Sequence, residues 1–264
     1  MTLQSSAQSL PFSAKSKPAA AALPLEQHSL PKTVALHLAP GAFFTLIYAL
    51  LAQPAQRLGL NNLLTFNLLA VLVLVPLELG ILFVVGKKHS GRFTLQGVVL
   101  NRQRIPLGQL LGLALLTLVY LVVCFTQLQT RLDPWLQRTL FGWVPEWFML
   151  MHGLSQAPRN LAILTIFVSM VCTSWIAPFV EEYYFRGYLL PRLAHFGSLA
   201  PVINGVLFTL YHFFTPWQAL TRIIALVPMA WIVQRKRNLY ISVIAHMVLN
   251  TLSLLPGLLV LLAK

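Results

Sequence analysis

Charge is scarce in this chain, and negative charge scarcest of all: 9% of the 264 residues are charged, with six Asp or Glu against nineteen Lys or Arg. With 57% hydrophobic residues and a mean hydropathy of +0.73, that scarcity excludes an ordinary soluble globular domain. The chain has only two cysteines, Cys124 and Cys172, both inside apolar runs, which excludes a disulfide framework and leaves them as small hydrophobes. The runs lack the alternation of barrel strands, so helices are the spanning form. No internal repeat divides the chain. Its first ~35 residues, rich in Ser, Ala, Pro and Gln, lack the apolar core of a cleavable secretory signal. They suit a disordered cytoplasmic tail over residues 1–38, with an organellar transit peptide as the alternative.

What remains is a polytopic membrane protein, all-α, a helical bundle of seven to eight transmembrane helices over residues 39–264. A crossing of ~30 Å needs about 20 apolar residues. Charges, Pro and Gly delimit seven such spans: Gly41–Gln56, Leu63–Gly86, Leu107–Gln127, Leu161–Leu190, Leu199–Phe214, Gln218–Gln234 and Leu239–Leu262. The first, fifth and sixth are short, which leaves room for an eighth or re-entrant segment.

The net charge of +13 would point to nucleic acid in a soluble protein. Here its distribution decides, because Lys and Arg mark cytoplasmic loops. Lys15, Lys17 and Lys32 precede the first span; Lys87, Lys88, Arg92, Arg102 and Arg104 follow the second; Arg192 follows the fourth, and Arg235, Lys236 and Arg237 the sixth. The other side holds Arg57, Arg131, Arg138, Arg159, Arg222 and Lys264. The N-terminus is therefore expected in the cytoplasm and the C-terminus outside, with membrane lipids rather than nucleic acid as the partner of the basic loops. Residues 87–104 suit an interfacial amphipathic helix. Residues 131–152, with Trp135, Trp143 and Trp147, suit an aromatic belt on the outer face.

An ionisable side chain at membrane depth costs roughly 2.5–3.5 kcal/mol even on the lenient insertion scale. Glu181 and Glu182 stand side by side there, followed by Arg186. On a helix Glu182 and Arg186 are an i,i+4 pair on one face, so the arginine neutralises that glutamate. Glu181 is rotated by ~100° and is left for chemistry. His212, with Phe208 and Asn204 on the same face, lies on the next span, and His246 with Asn250 on the last. At 1.5 Å per residue Glu181 lies ~16 Å, His212 ~21 Å, His246 ~13 Å and Asn250 ~20 Å from the basic end. Comparable depth makes one convergent site the economical reading. Glu78, beside Pro76, is a further intramembrane acid that lines the same cavity or bonds a neighbouring helix.

The ordered set Glu-Glu-x-x-x-Arg-Gly (Glu181 to Gly187), Phe-x-x-x-His (Phe208 to His212) and His-x-x-x-Asn (His246 to Asn250) resembles the motif series of the CPBP family of intramembrane proteases. That family includes the type II CAAX prenyl endopeptidases and the bacteriocin-processing and self-immunity proteins. The resemblance covers residues 161–262, the expected catalytic core. It implies that Glu181 is the general base, that His212 holds the attacking water, and that His246 and Asn250 stabilise the oxyanion, with Glu182 and Arg186 in support. The implied activity is an intramembrane endopeptidase that cleaves a membrane-associated or prenylated, CAAX-like substrate near the cytoplasmic leaflet. A non-proteolytic scaffold or immunity protein on the same fold, or a proton-coupled transporter, are the alternatives.

Two imidazoles and a carboxylate could also hold Zn2+ through Glu181, His212 and His246. The chain lacks the His-Glu-x-x-His helix that marks a zinc protease. Metal-free glutamate catalysis, with no cofactor, is the favoured of the two.

Overall fold

The structure is a computed structural model that describes residues 25–262. Residues 1–24, which hold most of the expected tail with Lys15 and Lys17, and the terminal Lys264 lie outside the described residues. Among the described residues there is no β-strand beyond one isolated bridge between Arg102 and Asn238, and six helical runs are long and apolar enough to cross a membrane. They are α1 (Leu30–Arg57), α2 (Asn62–Ser90), α3 (Leu107–Gln129), the 52-residue run Arg159–Leu210, α7 (Pro216–Lys236) and α8 (Tyr240–Leu262). The short helix α4 (Leu132–Thr139) sits between α3 and the long run.

The long run contains the fourth and fifth expected spans. It bends at Gly197, whose backbone (φ 58°, ψ −124°) is open to glycine alone, and so divides into α5 (residues 159–189) and α6 (Ala200–Leu210). At 11 residues α6 is about 16 Å long and stops partway across. That shortness places His212, just beyond its end, inside the bundle rather than at its surface.

Two expectations are corrected. Residues 30–38, assigned to the tail, are the first turns of α1, whose second residue is Pro31, favoured where the helical N–H groups have no partner anyway. Residues 91–104 are not an amphipathic helix. After the left-handed Gly91 (φ 72°) the chain turns back, and Val98 and Val99 are buried. Leu100 N–H donates to the Gly187 carbonyl at 2.8 Å and Asn101 Nδ2 to that of Arg186 at 2.9 Å, clamping the loop onto α5. A side chain at Gly187 would meet Val99 Cγ1 at 2.5 Å. The Trp residues of 131–152 agree better with expectation, since Trp135 and Trp143 are exposed.

The helices are tied by polar bonds as well as by packing, as expected where lipid provides no hydrophobic drive between helices. Asn61 Nδ2 donates to Thr165 Oγ1 at 2.8 Å and Asn67 Nδ2 to Ser169 Oγ at 2.6 Å, joining α2 to α5. Phe44, Phe66 and Phe214 meet edge to face at 4.8–5.5 Å between centroids, where α1, α2 and the segment after α6 converge. His28 N–H donates to the Arg192 carbonyl at 2.9 Å, and Arg159 Nε to that of Leu261 at 3.1 Å. The start of α1 therefore shares one end of the bundle with the basic loops, and the end of α8 lies at the other.

Candidate active site

Three helices deliver the motif residues to one cavity of about 310 Å³. Glu181, His212, His246 and Asn250 all line it, together with Phe208, Ser174 and Arg222. The expected convergence is present, and the local backbone explains it. α5 is widened to π-helical turns at Met170–Ile176 and again at Glu182–Leu189, a form found preferentially at functional sites.

Glu182 faces away from the cavity and is fully buried. Its Oε2 lies 3.3 Å from Arg186 Nε and its Oε1 3.1 Å from His246 Nδ1. The Arg186 guanidinium also lies 4.0 Å over the Phe208 ring, a desolvated cation–π contact. The expected ion pair between Glu182 and Arg186 is therefore present, and it has a further task. A carboxylate held ionised by a guanidinium can only accept, so His246 must donate Nδ1–H to it. His246 Nε2 is then the ring atom left for a ligand, and it donates only when the ring is an imidazolium.

His212 is fixed in the same sense. Its Nδ1 donates to the Phe208 carbonyl at 2.8 Å, leaving Nε2 as an acceptor. Asn250 Nδ2 donates to the Thr173 carbonyl at 2.9 Å, which anchors the amide and leaves its second N–H uncommitted. Asn204, placed with His212 by the sequence, is instead a strut: its amide donates to the Phe185 carbonyl and to His37 Nε2, each at 3.0 Å, away from the cavity.

Of three groups that spacing did not single out, Arg222 and Ser174 line the wall and Tyr211 stands behind Glu181. Tyr211 donates its hydroxyl to Glu78 Oε1 at 2.8 Å and stands 3.4 Å from Glu181 Oε1. Arg222 is held by Thr215 Oγ1 at 2.7 Å and Gln218 Oε1 at 2.5 Å. Ser174 Oγ is buried with no protein partner among the described residues. The signal for Tyr211 was its place beside His212, and for Arg222 its position a turn and a half inside an apolar span.

The cavity's direction departs from the expected position near the cytoplasmic leaflet. Its other lining residues include Leu63 in the first turn of α2, Gln129 at the end of α3, Leu150 in the loop after α4, and Leu254 late in α8. All belong to the end opposite the basic loops. The cavity thus runs from the middle of the bundle toward the cation-poor end, not toward the basic leaflet.

Among the described residues, no group of three or more His, Cys, Asp or Glu side chains is close enough together to hold a metal ion. Glu181, His212 and His246 share a cavity without forming a ligand cluster, so no step below runs through a metal.

A bundle of apolar helices around buried carboxylates and imidazoles is an integral membrane protein with an enzyme-like polar cavity. Residues 162–252, about a third of the chain, match the family model described as "Rce1-like: Type II CAAX prenyl endopeptidase Rce1-like". Over these residues the chain is similar to the type II CAAX prenyl endopeptidases that the model describes. No curated protein and no solved structure matches the chain.

Proposed function

We propose that the chain is a metal-free intramembrane endopeptidase that hydrolyses a peptide bond in a membrane-associated or lipidated, CAAX-like substrate. The observation carrying this reading is the convergence of Glu181, His212, His246 and Asn250 from three helices on one cavity. Glu181 takes the proton of a water that His212 Nε2 positions as acceptor. The hydroxide attacks the carbonyl carbon, and the second Asn250 N–H with His246 Nε2–H of the imidazolium receives the oxyanion. Glu182 supports that charge on His246, which gives the second glutamate a role in the reaction as well as in the fold. Glu181 then returns the proton to the leaving amine as the C–N bond breaks.

With the basic end in the cytoplasm, as the cation distribution favours, the catalytic groups lie near mid-membrane and the cavity extends into the opposite leaflet. A lipidated or embedded peptide then reaches the site from within the bilayer. The test is hydrolysis of a farnesylated peptide by the purified protein in proteoliposomes, with products read by mass spectrometry. A single cut near the lipidated residue, insensitive to chelators, supports the reading; activity removed by a chelator and restored by zinc overturns its metal-free part.

A further inference from the structure

Glu78 is the acid within the membrane spans that this mechanism leaves unused. It is buried at 1% exposure on α2, with no cation within ion-pair distance among the described residues. A membrane-depth carboxylate with no counter-charge needs a reason to be there. Its one protein partner among the described residues is the Tyr211 hydroxyl, at 2.8 Å, and the same oxygen lies 3.4 Å from Glu181. One hydroxyl carries one proton and can donate to one carboxylate at a time. The second contact is a hydrogen bond only when the other carboxyl is protonated and donates to the phenolic oxygen. The three groups therefore form a chain with two hydrogen-bonded arrangements, differing by one proton moved from Glu181 to Glu78.

We infer that Glu78 stores a proton for Glu181, passed through the Tyr211 hydroxyl, during the peptide hydrolysis proposed above, on which this inference rests. The attacking water brings two protons, and both finish on the leaving amine once the product acid ionises. Glu181 alone holds one at a time. When Glu181 accepts the first, it donates to the Tyr211 oxygen while Tyr211 O–H transfers to Glu78, and Glu181 is ionised again. The C–O bond has then formed and the carbonyl π electrons rest on the oxyanion. Collapse re-forms C=O, breaks C–N and draws the stored proton back through Tyr211 and Glu181 to the amine nitrogen; Glu181, ionised again, then takes the second proton from the product acid and passes it to the amine.

The surroundings of the chain are specific. Glu181 is faced by Arg186 and Glu182 from its own helix, Arg222 from α7, His246 from α8 and His212 after α6; Glu78 is faced by Tyr184 as well as Tyr211. Phe185 and Phe208 pack on the Tyr211 ring at 4.9 and 5.9 Å, fixing where its hydroxyl points.

The test uses the full chain in proteoliposomes and a farnesylated peptide reporter, with Glu78→Gln, Tyr211→Phe and the double variant. Blocking a proton transfer of this kind typically costs 10²-fold or more in rate. The expected result is a shared fall of about that size in kcat for all three, with KM within twofold and no additivity in the double variant. The proton inventory in mixed H2O and D2O, curved in the unaltered protein, becomes linear, a change that a packing defect does not produce. Glu78→Asp restores part of kcat. If Glu78→Gln fails to fold, Tyr211→Phe, which removes only the hydroxyl, carries the test alone. Full kcat in Tyr211→Phe and Glu78→Gln with Glu181→Gln inactive overturns the relay and leaves the protease reading; full kcat in Glu181→Gln overturns that reading instead.

Discussion

Glu182 Oε1 lies 3.1 Å from His246 Nδ1, so the first helix of the site sets the tautomer of a histidine on the last. The same carboxylate meets Arg186 with its other oxygen at 3.3 Å, and both side chains of that ion pair are fully buried. Removing one member of such a pair leaves a charge with no solvent, a loss of about 3–5 kcal/mol. Arg186→Met is therefore expected to lower the thermal unfolding temperature in detergent sharply. The double variant with Glu182→Gln, which removes both charges, is expected to recover much of the fold without recovering activity, because His246 then loses its anionic acceptor. Equal unfolding temperatures for single and double variants would contradict this account.

Gly41 on α1 decides where Tyr211 sits. A Cβ there would overlap the Tyr211 carbonyl oxygen and stand 2.7 Å from its ring carbon Cδ2. Neither neighbour can move without shifting the adjacent His212. Gly41→Ala is expected to cost about 1–3 kcal/mol of stability through overpacking. Its larger effect falls on rate, since a misplacement near 1 Å costs about 10²-fold. Parallel measurement of unfolding temperature and kcat separates the two losses.

The start of α1 is sensitive to acid. His28 is buried against the Tyr188 ring, with centroids 5.6 Å apart, and lies outside the membrane spans. Burial, reinforced by the charges of Lys32 and Arg192 and opposed by Glu26, pushes its pKa down to about 4. The released segment titrates near 6.5. Above that value both states are neutral and docking is unaffected; as pH falls toward about 4 only the released state gains the proton, so docking weakens. Hydrogen exchange in residues 25–35, corrected for intrinsic rate, is expected to be faster at pH 5 than at pH 7. His28→Leu is expected to abolish that difference.

Much of the site was legible because its logic is local. Spacing alone paired Glu182 with Arg186, set Glu181 apart, and put His246 and Asn250 on one face. Depth counted from the basic loops aligned three helices. The rest depended on contacts that no spacing encodes. Glu182 meets His246 across 64 positions, and Tyr211 meets Glu78 across 133. The loop 91–104 carried the composition of an amphipathic helix, yet Val98 and Val99 are buried, Val99 against Gly187, because the left-handed Gly91 turns the chain back. The cavity's direction was hidden for a similar reason: the residues that line it toward the cation-poor end are apolar and look like ordinary membrane-span residues.

The orientation that the cation distribution favours is open to a direct test. In intact cells, a Trp143→Cys variant is expected to react with a membrane-impermeant maleimide from outside, since Trp143 is exposed in the loop after α4. Lys88→Cys, exposed at the basic end, is expected to react only after permeabilisation. Cys124 and Cys172 are buried, so background labelling is small. The reverse pattern would place the cavity in the cytoplasmic leaflet.

Glu181 and His212 are proposed to activate a water in the cavity together. The most direct test of that role is single-turnover cleavage of a farnesylated peptide in proteoliposomes by the unaltered protein, Glu181→Gln and His212→Ala, with peptide binding and unfolding temperature followed in parallel. Product is expected from the unaltered protein, with a loss of at least about 10²-fold in both variants and binding and folding retained. Cleavage at the unaltered rate in either variant would contradict that role.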